Sequence, residues 1–217
     1  MAESRTVIVD SSIGNVGSVA NMCRKVGERN VSVSQEPSEI AAADRLIFPG
    51  VGHFGRASEQ LDKLGLRSLL TELVLEQKRP ILGICLGMQL LCNGSDEGSG
   101  EGLGWIQGYC RRFELEGSRD FKVPHMGWNY IHSTKPENPL AQFSMTNPRM
   151  YHVHSFHMHT DEENVLFKTH YGYDFVSGVC RENIYGVQFH PEKSHVFGME
   201  LLRNFCQLRN GENVQGE

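Results

Sequence analysis

Cys85 is the residue of this sequence best placed for covalent chemistry. It lies in the Gly-Ile-Cys-Leu-Gly motif at residues 83–87, after the apolar residues 80–82 and before the helix-like residues 88–91. A nucleophile between small residues at a strand-to-helix turn is typical of a nucleophile elbow, here with cysteine instead of serine. The glycines permit the cramped turn, and the first N–H groups of the helix favour a thiolate. A buried structural cysteine is the alternative interpretation.

His190 and Glu192 are the best candidates to activate such a thiolate. A cysteine nucleophile needs a base, and the imidazole of that base needs a group that orients it. The chain has 10 histidines, but only at His190 does an apolar strand end before a proline, which stops strand pairing. Residues two apart in an extended chain point the same way, so we expect Glu192 to hold the imidazole. The alternative is a surface turn that merely carries a His and a Glu.

Stabilisation of an oxyanion requires backbone N–H donors close to the carbonyl under attack. The N–H of Leu86, directly after the nucleophile, is one expected donor. The Pro-Gly-Val-Gly turn at residues 49–52 follows another strand-like segment. It is a natural second source, through Gly50 and Val51, because glycine lets a backbone reorient towards a ligand. An ordinary tight turn is the alternative.

Length and composition restrict the class of protein. The 217 residues, 39% hydrophobic and 22% charged, suit one globular α/β domain. A net charge of −5 argues against a general nucleic-acid or anionic-membrane surface. No apolar run approaches the roughly 20 residues that span a bilayer, and no signal peptide is evident. The 6 cysteines contain no Cys-x-x-Cys pair, which favours reduced thiols. We therefore expect a cytoplasmic protein.

Alternating strand-like and helical segments must position these residues. The first half predicts strands at 6–9, 31–34, 45–48 and 80–82, and helices at 16–24 and 57–77. This alternation predicts a largely parallel central sheet flanked by helices, with ligands at the carboxyl ends of strands. After a loop at 93–100, the second half predicts additional β segments at 105–113, 123–131, 150–156, 165–169, 175–181 and 184–189, and a helix at 196–208. We expect one domain over residues 1–209 and a polar tail over 210–217.

These motifs resemble the class I (triad) glutamine amidotransferase family. The resemblance rests on the nucleophile motif, which continues through Met88 and Gln89, and on the His-Pro-Glu motif at 190–192. Three further segments resemble the glutaminase subunits of imidazole glycerol phosphate synthases: Asp-Ser-Ser-Ile-Gly-Asn at 10–15, Pro-His-Met-Gly-Trp-Asn at 124–129, and His-Pro-Glu-Lys-Ser at 190–194. The matches extend from residue 10 to residue 194. Ser11 departs from the family, which usually has Tyr or a similar group there.

The resemblance implies a reaction and the residues that perform it. Glutamine is hydrolysed to glutamate and ammonia through a γ-glutamyl thioester on Cys85. His190 takes the thiol proton and later activates water, while Glu192 orients the ring. Gly50 and Val51 rearrange to supply an oxyanion donor alongside Leu86. The residues implied for glutamine binding are Gly52, Gln89, Glu97, Ser155 and Phe156.

The resemblance also implies a heteromeric partner. In this family a (β/α)₈ barrel cyclase receives the ammonia and makes imidazole glycerol phosphate and AICAR in histidine biosynthesis. Exposed aromatic and Met side chains suit such a docking surface. The residues implied for the interface or the tunnel mouth are Met126, Trp128, Asn129 and Lys193. Without the resemblance, Trp128 would be interpreted as a core aromatic of a strand.

Two other signals are weaker. Alternate histidines in 151–159 share a strand face, which is the basis of a metal hypothesis. No acidic or Cys ligand lies at a helpful spacing, so we expect no bound metal. The Gly-rich residues 94–104 lack the strand, helix and Lys of a phosphate loop, so we expect no nucleotide cofactor.

Three other functions stay open. A paralogous glutaminase could supply ammonia to a different synthase, such as one that forms an amidine on a surface sugar. A stand-alone cysteine hydrolase or peptidase could use a similar elbow, although residues 124–129 argue against it. A non-catalytic binding module is disfavoured because all three residue types of a triad are present.

Overall fold

The computed structural model describes residues 4–12, 14–115, 117 and 120–208. Its helices are α1 (Val16–Lys25), α2 (Pro37–Ala41), α3 (Phe54–Lys63), α4 (Leu66–Thr71), α5 (Leu86–Gln89) and α6 (His195–Gln207). Its strands are β1 (Thr6–Val9), β2 (Val31–Ser34), β3 (Arg45–Gly50), β4 (Ile81–Cys85), β5 (Gly94–Ser95), β6 (Gly108–Arg112), β7 (His125–Tyr130), β8 (His132–Ser133), β9 (Arg149–His154), β10 (Phe156–Thr160), β11 (Val165–Tyr171), β12 (Tyr173–Arg181) and β13 (Ile184–Val187).

The main sheet has 11 strands within the described residues, in the order β2-β1-β3-β4-β13-β12-β10-β6-β5, with β11 paired to β12 and β8 paired to β11. The five strands from β2 to β13 run parallel. From β13 onwards, β12, β10 and β6 pair antiparallel. Strands β7 and β9 form a separate antiparallel ladder. The expected largely parallel central sheet with additional C-terminal β segments is therefore confirmed.

Most residues of the central strands β1, β3 and β4 are apolar because helices cover both faces of the sheet. Val7 and Val9 of β1 pack into a core with the buried side chains of α2, α3 and α4. Ile8 points the other way and packs with the buried side chains of α1 and α6. The period-2 alternation of a strand thus divides one short apolar run between two cores. This two-sided packing fixes β3 and β4, the strands that carry the candidate site.

The structure corrects four local predictions. The helical pattern at 57–77 is two helices, because Gly65 adopts φ 65° between them and a π-helical turn (Glu72–Glu76) follows α4. The predicted loop at 93–100 contains the short strand β5, paired with β6. The predicted strand at 150–156 is divided at Ser155 into β9 and β10. Strand β3 also continues two residues past its predicted end, through Gly50.

Some predictions fall on residues without a description. The polar tail at 210–217, the domain boundary at 209 and Ile13 of segment 10–15 all lie outside the described residues. Among the residues that are described, we find no helix with the length and hydrophobicity to cross a bilayer.

Candidate active site

Cys85 lies at a strained turn at the carboxyl end of β4. Its backbone has φ 55° and ψ −110°, a region that non-glycine residues adopt only where the surrounding structure enforces it. The enforcement comes from β3, which packs against the first turn of α5. A Cβ on Gly87 would lie 1.8 Å from the carbonyl oxygen of Phe48. The elbow therefore needs glycine at position 87 because a neighbouring strand approaches it closely.

His190 and Glu192 form a buried pair beside this elbow. His190 Nδ1 lies 2.8 Å from Glu192 Oε1, and the side chains are 3% and 1% exposed. A 3₁₀ turn at Pro191–Lys193, rather than the extended segment we predicted, brings the carboxylate to the ring. Ser194 fixes this turn on β9: its hydroxyl donates to the His190 carbonyl (2.6 Å) and accepts from the Tyr151 N–H (3.0 Å).

The charge on His190 depends on Cys85 and Glu192. Burial alone would lower its pKa, but interactions with Cys85 and Glu192 outweigh burial and raise the pKa of His190 to about 10. Nδ1 is occupied by Glu192, and Nε2 is buried with no partner in hydrogen-bond geometry among the described residues. The thiol and the imidazole therefore influence each other without a fully aligned hydrogen bond. Nε2 is the ring nitrogen left to exchange a proton with Cys85 or a substrate.

A cavity of about 250 Å³ opens beside the sulfur. The predicted residues that line it are Val51, Gly52, Cys85, Leu86, Gln89, Glu97, Ser155, Phe156, His190 and Lys193. Gly50 lies behind it in β3, in register with Cys85. A larger groove of about 770 Å³, between Asp96 and Phe121, shows no nucleophile with a base among the described residues that line it. Chemistry rather than volume therefore identifies the smaller cavity as the candidate active site.

Two polar side chains of the cavity are already engaged by protein groups. Glu97 Oε2 accepts the N–H of Phe54, at the start of α3, at 3.0 Å. Gln89 Nε2 donates to the Phe156 carbonyl and to Gln188 Oε1, both at 3.1 Å. Gln188 Nε2 lies 3.7 Å from Cys85 Sγ. Gln188 is a residue of the site without a predicted role, although it lies two residues before His190, a spacing that favours the same side of an extended segment.

The predicted interface residues that belong to β7 divide between the two faces of this strand. Met126 and Trp128 point outwards, with 62% and 41% of their surface exposed, so the interpretation of Trp128 as a core aromatic is wrong. The Trp128 ring instead stacks on His195, with centroids 5.2 Å apart. Asn129 points to the opposite face and donates to the His170 carbonyl at 2.8 Å. Lys193 is exposed and lines the cavity mouth.

Three buried histidines behind the cavity are the group to test as metal ligands. Candidate ligand atoms of His125, His152 and His154 lie within 4.8 Å of one another. Burial lowers the pKa of each, that of His125 to about 4, so the rings are neutral. His152 Nδ1 and His154 Nε2 are 3.2 Å apart, and His125 stacks on His152 with 24° between the rings. The near-parallel rings of His125 and His152 do not direct their lone pairs at one tetrahedral centre, and His154 is tilted by 71° and 47° to them, so we interpret the cluster as packed neutral rings.

Comparison with known proteins identifies the family. Residues 7–208 match the model of the family described as glutamine amidotransferase class-I. The chain is 47% identical to imidazole glycerol phosphate synthase subunit HisH 2 of Methanococcus maripaludis, over 92% of this chain and 98% of that protein. It is 43% identical to the HisH 2 subunit of Pseudomonas aeruginosa, over 93% and 98%.

Solved structures agree at the level of the fold. A structure described as a glutamine amidotransferase superposes with a TM-score of 0.70 at 16% identity, covering 92% of this chain and 96% of the other. A chain of the PurLQS structure from Thermotoga maritima gives 0.66 at 18% identity, covering 95% and 97%. The family match spans the elbow at Cys85 and the buried pair at 190–192. This chain belongs to the class-I glutamine amidotransferase family.

Proposed function

We propose that this chain is the glutaminase subunit of an imidazole glycerol phosphate synthase in histidine biosynthesis, a cytoplasmic pathway. The observation that carries the proposal is the buried pair of His190 and Glu192 beside the strained Cys85, at a cavity of about 250 Å³. Relatives at 43% and 47% identity that are named as HisH subunits support the choice of synthase.

In the first half-reaction, Cys85 Sγ attacks the side-chain carbonyl carbon of glutamine. The carbonyl oxygen becomes an oxyanion, which the Leu86 N–H and an N–H from Gly50 or Val51 stabilise. The carbon–nitrogen bond then breaks, and His190 Nε2 gives its proton to the departing nitrogen. Ammonia leaves, and a γ-glutamyl thioester remains on Cys85. A pKa of about 10 supports this role because the imidazole carries the needed proton at neutral pH.

In the second half-reaction, His190 Nε2 is neutral and takes a proton from water. The water oxygen attacks the thioester carbon, the carbon–sulfur bond breaks, and Cys85 leaves as the thiolate. Glutamate is released with His190 again protonated. The Glu192 carboxylate stabilises the imidazolium through Nδ1 in both halves, and its burial strengthens that interaction.

The cavity wall supplies groups of the right charge to bind glutamine. Glu97 offers a carboxylate to the substrate ammonium group, and Gln89 offers its amide. The backbone of Ser155 and Phe156 offers further hydrogen bonds, with Gly52 opposite. All five residues line the same cavity as Cys85, which supports their assignment to glutamine binding.

Ammonia released into bulk water would be protonated and lost as a nucleophile, so we propose direct transfer to a (β/α)₈ barrel cyclase. The docking surface is the outer face of β7, formed by Met126, Trp128 and Tyr130, which are 62%, 41% and 47% exposed. Lys193 lies between this face and the cavity, with its Nζ 5.7 Å from the Tyr151 ring centroid. Asn129 supports the strand from its opposite face.

The test uses the complex with the candidate cyclase. We expect Cys85→Ala to abolish glutamine-dependent synthesis of imidazole glycerol phosphate and to leave ammonia-dependent synthesis intact. Cys180→Ala, which changes a buried cysteine outside the cavity, should leave both activities unchanged. Loss of both activities in an assembled Cys85→Ala complex would refute the transfer of ammonia. Co-purification with a different synthase, and no activation by the cyclase, would favour the paralogous glutaminase instead.

A further inference from the structure

One fully buried side chain, Gln188, connects the nucleophile to the wall of the cavity. Its Nε2 lies 3.7 Å from Cys85 Sγ, and its Oε1 accepts a hydrogen bond from Gln89 Nε2 at 3.1 Å. Gln89 Nε2 also donates to the Phe156 carbonyl at 3.1 Å. We infer that Gln188 is a positioning residue that presents an N–H donor to the Cys85 sulfur. The inference deepens the proposed glutaminase function and rests on Cys85 as its nucleophile.

The Phe156 carbonyl determines the orientation of the Gln188 amide, through the amide of Gln89. The two ends of a glutamine amide are nearly the same size, so their orientation must be decided by the hydrogen-bond network. The Phe156 oxygen is only an acceptor, which requires Gln89 to present its NH₂ group there. That same NH₂ group faces Gln188, so Gln188 must turn its oxygen towards it. The NH₂ group of Gln188 is then left facing Cys85.

A reversed Gln188 amide would be unfavourable at Gln89, and also at the sulfur when Cys85 is a thiolate. Two NH₂ groups would face each other between Gln188 and Gln89, and an oxygen would face the sulfur. Both side chains are buried, with Gln188 at 0% and Gln89 at 4% exposure, so water cannot compensate for unpaired groups. The Gln188 backbone is also fixed, because its N–H donates to the Ser177 carbonyl at 3.0 Å. The orientation set at Phe156 is therefore transmitted to Cys85.

A fixed neutral donor at the sulfur favours the thiolate over the thiol. A hydrogen bond to the charged form of a group stabilises that form, and bonds to charged acceptors are stronger than neutral ones. Unlike His190, the amide has no proton to exchange, so it acts on the sulfur without competing for the catalytic proton. Phe156 is also a wall of the cavity, so one network aligns the substrate side and the nucleophile.

The experiment measures alkylation of Cys85 by iodoacetamide across pH in the isolated folded chain, with the Cys85 peptide followed by mass spectrometry. Gln188→Met removes both polar groups at similar length. Gln188→Glu keeps an acceptor for Gln89 and, when the carboxyl group is ionised, replaces the donor at the sulfur with a negative charge. We expect the alkylation rate at pH 7 to fall about tenfold in both variants, and to approach the parent rate at high pH, where every thiol is ionised.

A matched control removes another buried amide. Asn164 is 5% exposed and lies outside the cavity, so Asn164→Leu should leave the alkylation profile unchanged. An equal loss of rate at every pH in the Gln188 variants would indicate general misplacement and overturn the inference, as would an unchanged profile. Alkylation requires neither glutamine nor a partner. If the alkylation profiles are as expected but the parent protein shows no glutaminase activity with any synthase, the proposed function is overturned while the inference about Gln188 stands.

Discussion

Neutralising Glu192 while keeping its shape isolates the charge behind the His190 ring. In the parent chain, His190 Nδ1 lies 2.8 Å from Glu192 Oε1. In Glu192→Gln the side chain keeps an oxygen that can accept from Nδ1 but loses its negative charge. Both side chains are almost fully buried, so solvent screens this charge only weakly. We expect the pKa of His190 to fall by about two pH units, within the range for loss of an adjacent opposite charge.

The size of the stability change follows from the raised pKa. A pKa of about 10 against an ordinary 6.5 corresponds to about 4 kcal/mol of folding free energy at pH 7. Because the folded-state pKa is raised, this stabilisation is complete below about pH 6.5 and is lost as pH rises through about 10. A fall of about two pH units in the variant therefore removes about 2–3 kcal/mol at pH 7.

Urea unfolding of parent and variant at several pH values measures this difference. We expect the free energies of unfolding to differ by about 2–3 kcal/mol near pH 6.5 and to converge towards pH 10. His170 and Asp174 provide a control, because their atoms are 2.7 Å apart but the side chains are 63% and 68% exposed. Asp174→Asn should cost less than about 0.5 kcal/mol. A Glu192→Gln deficit that is the same at every pH would refute the reasoning.

Two further substitutions test the elbow and the docking surface. Gly87→Ala places a methyl group 1.8 Å from the Phe48 oxygen, so thermal unfolding should show that the free energy of unfolding falls by at least about 3 kcal/mol. Gly17→Ala is the control: it has open space around it in α1 and should be neutral or stabilising. A stable, active Gly87→Ala protein would contradict the close contact. Trp128→Ala should weaken binding of the cyclase about 30-fold in calorimetry, with little change in stability. Met145→Ala changes an exposed residue elsewhere and should leave this affinity unchanged. Equal affinities of the two variants would exclude the outer face of β7 as the docking surface.

Local patterns predicted those parts of the site that depend on neighbours in sequence. The turn at Cys85 is indicated by residues 83–87 alone. The His190–Glu192 pair spans three residues, so the spacing was enough to predict that these two side chains lie together. The extended segment predicted for the pair is wrong, because a 3₁₀ turn brings Glu192 to the ring. The strands of the parallel core were also predictable, apart from their exact ends, since their apolar runs are buried on both faces of the sheet.

Features set by distant contacts could not be predicted in this way. The break at Gly65 interrupts an apolar pattern that predicts one continuous helix from residue 57 to residue 77. Asn129 lies on the opposite face from Met126 and Trp128, as alternation along the β segment predicted at 123–131 requires, but its hydrogen bond to the His170 carbonyl depends on a distant strand. The role of Gln188 depends on the Phe156 carbonyl, which belongs to a different strand. No spacing rule relates these two residues.

The strain at Cys85 and the buried amides around it have a common explanation. A residue with φ 55° and ψ −110° stays in that conformation only if its surroundings hold it. Strand β3 holds the backbone through the contact at Gly87, and Gln188 holds the sulfur from the end of β13. His190 is fixed separately, through Ser194, whose hydroxyl bonds to the His190 carbonyl and to the Tyr151 N–H of β9. Since β3 and the end of β13 constrain Cys85 and β9 fixes its base His190, we expect substitutions at any of these contacts to lower the reactivity of Cys85 before they unfold the chain.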